Sequence, residues 1–120
     1  MTATKPLLYV SRLLPDPVMV AIRERFALVL EPIDAAPSLS ALQEGLSKAA
    51  AAIVTLTDRI DAQTLESARE LKVLANYAVG YNNIDVDAAQ RRGVIVTNTP
   101  DVLTDATADL TWALILATAR

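Results

Sequence analysis

The stretch AAIVTLTDRIDAQTLESARELKVLANY, residues 51–77, decides the fold class of this chain. It holds two short apolar runs, residues 51–54 and residues 73–77, and Asp61 between them opens a helical segment through Leu65 and Ala68. A helix between two apolar runs is typical of a parallel βαβ unit, because parallel strands need a long crossover connection and are buried on both faces.

The same alternation continues on both sides of this stretch. Further strands are predicted at residues 6–11, 28–33 and 94–97. The predicted helix starts are Asp16 with Pro17 after it, Ser38 or Ser40, Asp61, and Asn83 or Asp85, and the fourth helix is expected to end at Arg91, Arg92 and a left-handed Gly93. Five strands separated by helices predict an α/β fold, a doubly wound five-stranded parallel sheet of order 2-1-3-4-5 with helices on both faces, in three layers.

The last part of the chain differs from the rest. Residues 104–120 are predicted to form a capped helix, and its second half, residues 112–117, is apolar on every side. A helix of that kind is expected to be buried. The turn at residues 98–101 marks the boundary, so residues 1–99 are expected to form the domain and residues 100–120 a connecting helix.

Composition excludes several classes of protein. The chain has 120 residues, of which 52% are hydrophobic and 21% charged, so one globular domain with its own core is expected. Its net charge is -3 and its 11 basic residues are scattered, which argues against nucleic acid or a membrane surface as a partner. Cysteine and histidine are absent, which excludes a disulfide framework, a thiolate nucleophile and a histidine base. With no membrane span or secretory leader in the sequence, the cytoplasm is the expected location.

Ligands of open parallel sheets bind beyond the carboxyl ends of the strands. Three predicted loops lie there, residues 11–14, 55–57 and 78–82. In the third loop, Gly80 follows a strand at a place where successive backbone N–H groups could form a concave anion site for a carboxylate or phosphate. The alternative is a plain turn glycine.

The other residue patterns do not indicate a cofactor, phosphorylation or metal site in this chain. The glycines, Gly45, Gly80 and Gly93, lack the spacing of a dinucleotide loop. Flavin binding would need a phosphate loop where SRLLPDP stands, and a phospho-acceptor domain would need an aspartate in place of Thr55. Five aspartates could suggest a metal site, but each lies near a predicted helix start, so capping is the preferred interpretation and no metal site is predicted. These are Asp85, Asp87, Asp101, Asp105 and Asp109.

Residues 71–120 closely resemble the D-isomer-specific 2-hydroxyacid dehydrogenases, particularly the glyoxylate and hydroxypyruvate reductase branch. The resemblance rests on NYAVGYNNID at residues 76–85 and GVIVTNTPDVLTDATADL at residues 93–110, and IVTLTDRID at residues 53–61 looks like the same family. Residues before about 50 carry only a compatible pattern. The resemblance implies a flavodoxin-like substrate domain that is interrupted by a nucleotide-binding domain and completed by a C-terminal helix.

The resemblance also implies roles for individual residues. The backbone at Val79 and Gly80 would hold the substrate carboxylate, and Leu56 would line the substrate pocket. Thr104 would lie close to the cofactor, and this role is compatible with its alternative role as a helix cap. The family's arginine, glutamate, histidine and dinucleotide loop would all follow Arg120, so no catalytic residue is predicted in this chain.

The function implied is the substrate-domain part of an enzyme that uses NAD or NADP to reduce a 2-keto acid, glyoxylate or hydroxypyruvate, to a D-2-hydroxy acid. The chain alone is expected to be inactive and to bind no cofactor. A homodimer is expected, because the resembled enzymes use the region of the last helix between subunits. The alternative is an isolated or engineered flavodoxin-like scaffold with no activity of its own.

Overall fold

A computed structural model describes residues 4–119 as five strands and five helices. The strands are β1 (Leu7–Val10), β2 (Ala27–Leu28), β3 (Ala51–Thr55), β4 (Val73–Tyr77) and β5 (Ile95–Thr97). The helices are α1 (Asp16–Arg25), α2 (Leu39–Lys48), α3 (Ala62–Ser67), α4 (Val86–Arg91) and α5 (Thr104–Thr118). The strands form one parallel sheet in the order β2-β1-β3-β4-β5, which confirms the predicted fold class and strand order.

Helices pack on both faces of the sheet, as predicted. On one face, α2, α3 and α4 enclose the larger core, in which Leu46, Leu65 and Leu74 are fully buried. On the other face, α1 packs Met19 and Ile22 against alternate residues of β1. The strict alternation of buried and half-buried residues along β3 follows from this division, because successive side chains point to opposite faces.

The face that carries α1 is only partly covered. Val73 and Tyr77 on β4 and Ile95 on β5 point to that face and remain 37%, 58% and 62% exposed. Full cover on both faces, which the apolar runs predict, is therefore not reached over these two strands.

The second strand is shorter than predicted. It ends at Leu28, although residues 28–33 form an apolar run, and only the Val29 N–H continues its pairing, with the Leu8 carbonyl at 2.9 Å. Pro32 has no N–H to give to a ladder, and the Ile33 carbonyl accepts from the Leu13 N–H at 3.0 Å, in the loop after β1. The run is therefore used as a loop along the sheet edge.

Three of the predicted helix caps are present. Ser38, Asp61 and Asp85 accept hydrogen bonds from the backbone N–H three residues later, at 3.2, 2.9 and 2.8 Å. The caps expected of Asp16 and Thr104 are wrong. Both residues lie inside their helices, which begin after Pro15 and Leu103 with no side-chain cap. In addition, Gly93 has the predicted left-handed backbone, with φ 72°.

The Asp61 cap leads to a prediction with a defined pH dependence. Hydrogen bonds from the Thr64 N–H and hydroxyl lower the pKa of the Asp61 carboxyl in the folded state. Its contribution is therefore present above the ordinary carboxyl pKa and is lost as pH falls through the lowered value. We expect Asp61→Ala to lower the free energy of unfolding by about 1 kcal/mol at neutral pH, and by much less in acid.

Urea unfolding at the two pH values measures this difference. Asp16→Ala is the matched control, because Asp16 makes no cap hydrogen bond and should lose only a few tenths of a kcal/mol. Equal losses for the two variants at neutral pH would contradict the assignment of the cap to Asp61.

The last helix is not buried, which contradicts the prediction from its composition. None of the residues of α5 that the structure describes is buried, and Leu110, Trp112 and Leu116 are 61%, 64% and 64% exposed. An apolar composition favours burial of a helix, but it does not require the covering surface to belong to the same domain. Arg120, the predicted end of this helix, lies outside the described residues. Within residues 4–119, no helix is long and apolar enough to cross a membrane.

Candidate functional site

The loops that follow β1, β3 and β4 meet at the carboxyl edge of the sheet and are tied together by buried polar side chains. Ser11 follows β1, Asp58 lies in the turn after β3, and Asn83 closes the loop after β4. Ser11 and Asp58 are only 5% and 3% exposed. Buried polar groups are expected to be fully hydrogen-bonded, and in the described residues no buried side-chain nitrogen or oxygen lacks a partner.

Asp58 is the centre of the first half of this network. Its Oδ2 accepts from the Ser11 hydroxyl at 2.5 Å, from the Thr55 N–H at 2.7 Å and from the Thr55 hydroxyl at 3.1 Å. Burial raises the pKa of the nearby Tyr9 phenol, and the negative charge of Asp58 raises it further. Asp58 therefore joins the ends of β1 and β3 through a single carboxylate oxygen.

Asn76 and Asn83 form the second half. Their side-chain amides pair reciprocally, with Nδ2 to Oδ1 distances of 3.0 and 3.2 Å. The Asn83 Nδ2 also lies 3.1 Å from the carbonyls of both Thr55 and Asp58. Asn83 thus links the loop after β4 to the turn after β3.

The loop at residues 78–81 presents backbone donors. Its carbonyls are occupied: Ala78 accepts from the Thr99 N–H at 2.9 Å, Val79 from Asn98 Nδ2 at 2.8 Å and Gly80 from Asn76 Nδ2 at 2.9 Å. By contrast, no atom in the described part of the chain accepts from the N–H groups of Val79, Gly80 or Tyr81. Successive N–H groups that have no acceptor among the described residues are suited to an anionic oxygen.

Gly80 does not adopt a left-handed conformation, since Gly93 is the glycine with positive φ in residues 4–119. The loop is therefore not a concave site built on a left-handed glycine. A Cβ at position 80 would lie 3.0 Å from the Asn82 Oδ1, so the glycine allows a close approach within the loop.

The structure brings some of the predicted site residues together and separates others. Val79 and Thr104 line the same open groove of about 660 Å³, in which Val79 forms one side and α5, with Thr104 and Trp112, forms the other. Leu56 lines a different and more polar cavity of about 470 Å³, next to Arg59 and Asn82. The loop of residues 78–82 therefore borders both. Val79 lines the groove that contains Thr104, the Thr104 groove, and Asn82 lines the cavity that contains Leu56, the Leu56 cavity.

The aspartates that could suggest a metal site have separate structural roles. Asp85 caps α4, and Asp87 and Asp105 lie in first helical turns, where negative charge suits the helix dipole. Asp101, for which the sequence predicts capping, instead occupies a left-handed turn position with φ 65°. Among residues 4–119, no group of three or more acidic, cysteine or histidine side chains could hold a metal ion.

Sequence reasoning missed Asp58 and Asn76 as members of the site. A signal for Asn76 is present, because it is a polar residue inside the otherwise apolar run of β4, where an unpaired amide would be costly. For Asp58 the signal is weak, since an aspartate in a turn after a strand is common at exposed positions. The sequence indicates Asn83 only as a possible cap, and the structure gives that role to Asp85.

Comparison with known proteins agrees with this architecture. The family model described as D-isomer specific 2-hydroxyacid dehydrogenase, catalytic domain, matches residues 9–119. A glyoxylate reductase of Thermococcus gammatolerans is 44% identical over 116 residues, which are 97% of this chain and 35% of that protein. This chain therefore spans about a third of the length of the curated relatives it matches.

Solved structures give the same result. The TT0316 protein from Thermus thermophilus superposes with a TM-score of 0.86 at 42% identity, over 95% of this chain and 37% of that one. An NADPH-dependent glyoxylate/hydroxypyruvate reductase from Sinorhizobium meliloti, solved with NADP and malonate, has a TM-score of 0.74 at 28% identity, over 96% and 34% of the two chains. The match over residues 9–119 and the shared fold place this chain in the D-isomer specific 2-hydroxyacid dehydrogenase family.

Proposed function

We propose that this chain is the substrate-side part of an oxidoreductase that uses NAD or NADP to reduce a small 2-keto acid, glyoxylate or hydroxypyruvate, to a D-2-hydroxy acid. The observation that carries the proposal is the row of N–H groups at Val79, Gly80 and Tyr81 that no described atom accepts, at the carboxyl edge of the sheet. A substrate carboxylate is the natural acceptor for them. Two relatives support the substrate class: the Thermococcus glyoxylate reductase, and the Sinorhizobium reductase, whose structure contains the dicarboxylate malonate.

Within this proposal, each predicted site residue has a separate part. Val79 and Gly80 bind the carboxylate through their N–H groups, while Leu56 borders the substrate from the loop after β3. Thr104 faces the cofactor across the groove that it shares with Val79. The chain thus orients the substrate, and fixed orientation lowers the barrier of a two-reactant step.

The described residues of this chain do not form a dinucleotide site. Such a site needs a glycine-rich loop at a helix N-terminus. Here Gly45 lies within α2, Gly80 lies in the loop of residues 78–81, which we call the carboxylate loop, and Gly93 follows the end of α4. We therefore propose that NAD or NADP is held outside these residues and meets this chain only at the Thr104 groove.

A test of this function uses the chain alone. Mixed with glyoxylate or hydroxypyruvate and either NADH or NADPH, it is expected to show no turnover, because the proposal places the proton donor and the dinucleotide site elsewhere. Reduction above a buffer blank, with host enzyme excluded, contradicts this.

In an amide titration with glyoxylate, the largest shifts should fall on Val79 and Gly80, with weak affinity. Shifts elsewhere and none in this loop would refute the site.

The isolated scaffold is the second candidate function. This candidate also predicts no turnover, but it predicts that glyoxylate leaves the amide shifts of Val79 and Gly80 unchanged. The titration therefore separates the two candidates. A cytoplasmic location and the domain boundary between residues 99 and 100 remain predictions.

We further propose that α5 mediates a homodimer. Leu110, Trp112, Leu114, Ile115 and Leu116 are each at least half exposed on this helix. Fully burying such side chains stabilises an assembly by about 1.5 to 3 kcal/mol each before the cost of association. In sedimentation, the unsubstituted chain should run as a dimer and the double variant Trp112→Asp, Leu116→Asp as a folded monomer.

A control for the dimer is Val20→Asp. Val20 is 57% exposed on α1, so the variant places one aspartate, half of the charge that the double variant adds, on an apolar surface position away from α5. It should still sediment as a dimer. If the unsubstituted chain and the double variant both run as folded monomers, α5 has no role between copies.

A further inference from the structure

We propose that Asn98 and Asn76 are positioning residues that aim the N–H groups of the loop at residues 79–81 toward the ligand carboxylate. The inference rests on the proposed carboxylate site and adds the side chains that give this site its geometry. Neither asparagine touches the ligand in this proposal. Each one holds a backbone carbonyl on the far side of a peptide unit whose N–H is offered to the ligand.

The argument begins with the peptide bond. In a trans peptide the C=O and the following N–H point in opposite directions, and the described residues contain no cis peptide. A donor that holds the carbonyl of one residue therefore fixes the direction of the N–H of the next. Holding the preceding carbonyl from the opposite side therefore favours an N–H that points at the anion.

The structure shows this arrangement at three consecutive peptides. Thr99 N–H holds the Ala78 carbonyl and so directs the N–H of Val79. Asn98 Nδ2 holds the Val79 carbonyl at 2.8 Å and directs the N–H of Gly80. Asn76 Nδ2 holds the Gly80 carbonyl at 2.9 Å and directs the N–H of Tyr81.

The two asparagines differ in how firmly they are held. Asn76 is 2% exposed and is fixed by its amide pair with Asn83, so the Gly80 carbonyl is anchored to the core. Asn98 lies half-buried just after β5. Because β5 leads into α5, Asn98 also joins the carboxylate loop to the segment that carries Thr104. Preorganised donors of this kind bind an anion without the cost of ordering the loop.

The experiment compares Asn98→Asp with Asn82→Asp in the full chain. Both variants add one negative charge to the same region, but only the first removes a hydrogen-bond donor, since Asn82 is exposed and donates to no atom in the described residues. Asn98 lies outside the core clusters, so its variant is expected to fold, which unchanged amide signals from β1 and β3 would verify.

Two measurements are made on each variant. Without ligand, residual dipolar couplings report the direction of the Gly80 N–H, which should change in Asn98→Asp and stay the same in Asn82→Asp. With glyoxylate as the probe, Asn98→Asp should weaken binding at residues 79–81 by at least about threefold to tenfold relative to the unsubstituted chain, the range expected for one hydrogen bond. Asn76→Asp should in turn redirect the Tyr81 N–H.

The outcomes are distinct. If the Gly80 N–H keeps its direction in Asn98→Asp, or if Asn98→Asp binds glyoxylate as tightly as the unsubstituted chain, the positioning role is overturned while the carboxylate site stands. If glyoxylate shifts no amide of residues 79–81 in the unsubstituted chain, the carboxylate site fails and the inference fails with it.

Discussion

Gly45→Ala is expected to destabilise the fold strongly, although alanine is the better helix former by about 1 kcal/mol. Gly45 is a buried residue of α2, and a Cβ there would collide with three ring atoms of Tyr9. Tyr9 is itself only 4% exposed on β1, so neither the ring nor the helix can move away without disturbing the core. Overpacking at so close a contact costs about 3 kcal/mol, and the helix propensity of alanine offsets about 1 kcal/mol of it, so we expect a net loss of about 2 kcal/mol in the free energy of unfolding, measured by urea denaturation.

The other two glycines are the controls for this prediction. At Gly93 an alanine meets no atom of residues 4–119 within 4 Å but must adopt φ 72°, which costs about 1 to 2 kcal/mol. At Gly80 the close atom in the described part of the chain is a side-chain oxygen at 3.0 Å, which can move aside, so the loss should be small. Adding Tyr9→Leu to Gly45→Ala should cost less than the sum of the two single variants, because it removes the ring. Strictly additive losses would show that the collision is not the cause.

Asp58→Ala is expected to have the second large effect. It removes the acceptor of three hydrogen bonds at a position that is 3% exposed, and it leaves the Ser11 hydroxyl and the Thr55 N–H without their partner. Hydrogen bonds to a charged group contribute about 1.5 to 3 kcal/mol each, and unsatisfied buried donors add to the loss. We expect the free energy of unfolding to fall by roughly 3 to 5 kcal/mol.

Two further variants check that assignment. Asp34→Ala removes an exposed carboxylate that pairs with Arg12 at 3.2 Å and should change stability by less than about 0.5 kcal/mol. Asp58→Asn keeps an acceptor oxygen but loses the charge, so its loss should lie between those of Asp58→Ala and Asp34→Ala. A loss for Asp58→Ala as small as that of Asp34→Ala would show that the three loops do not depend on this carboxylate.

Strand order and most helix starts could be predicted from the sequence because both depend on local patterns. Apolar runs with helices between them allow few topologies, and the caps at Ser38, Asp61 and Asp85 are fixed by contacts within three residues. The length of β2 could not be predicted in the same way. Whether an apolar run at a sheet edge pairs as a strand depends on its neighbour. Here the pairing with β1 ends, and the Ile33 carbonyl accepts from the Leu13 N–H in the loop after β1.

The position of α5 and the buried network could not be predicted because both depend on long-range contacts. The apolar composition of α5 predicts burial but not the partner, and the chain as described leaves the helix exposed. Asp58 bonds to Ser11, 47 positions away in sequence, and Asn83 bonds to Thr55, 28 positions away. No local pattern reports such contacts. For the loop at residues 78–81, the resemblance to a family supplied the expected role, while its conformation came from the structure.

The loops on the ligand side are bonded to each other as well as to their own strands, and this determines how they open. The Ile60 N–H bonds to the Asn83 carbonyl at 2.8 Å, and the Asp85 N–H bonds to the Ile60 carbonyl at 2.8 Å. Neither hydrogen bond can break unless the loop after β3 and the loop after β4 separate. In hydrogen exchange, the amides of Ile60 and Asp85 should therefore share one opening free energy and one denaturant dependence, as a single cooperative unit.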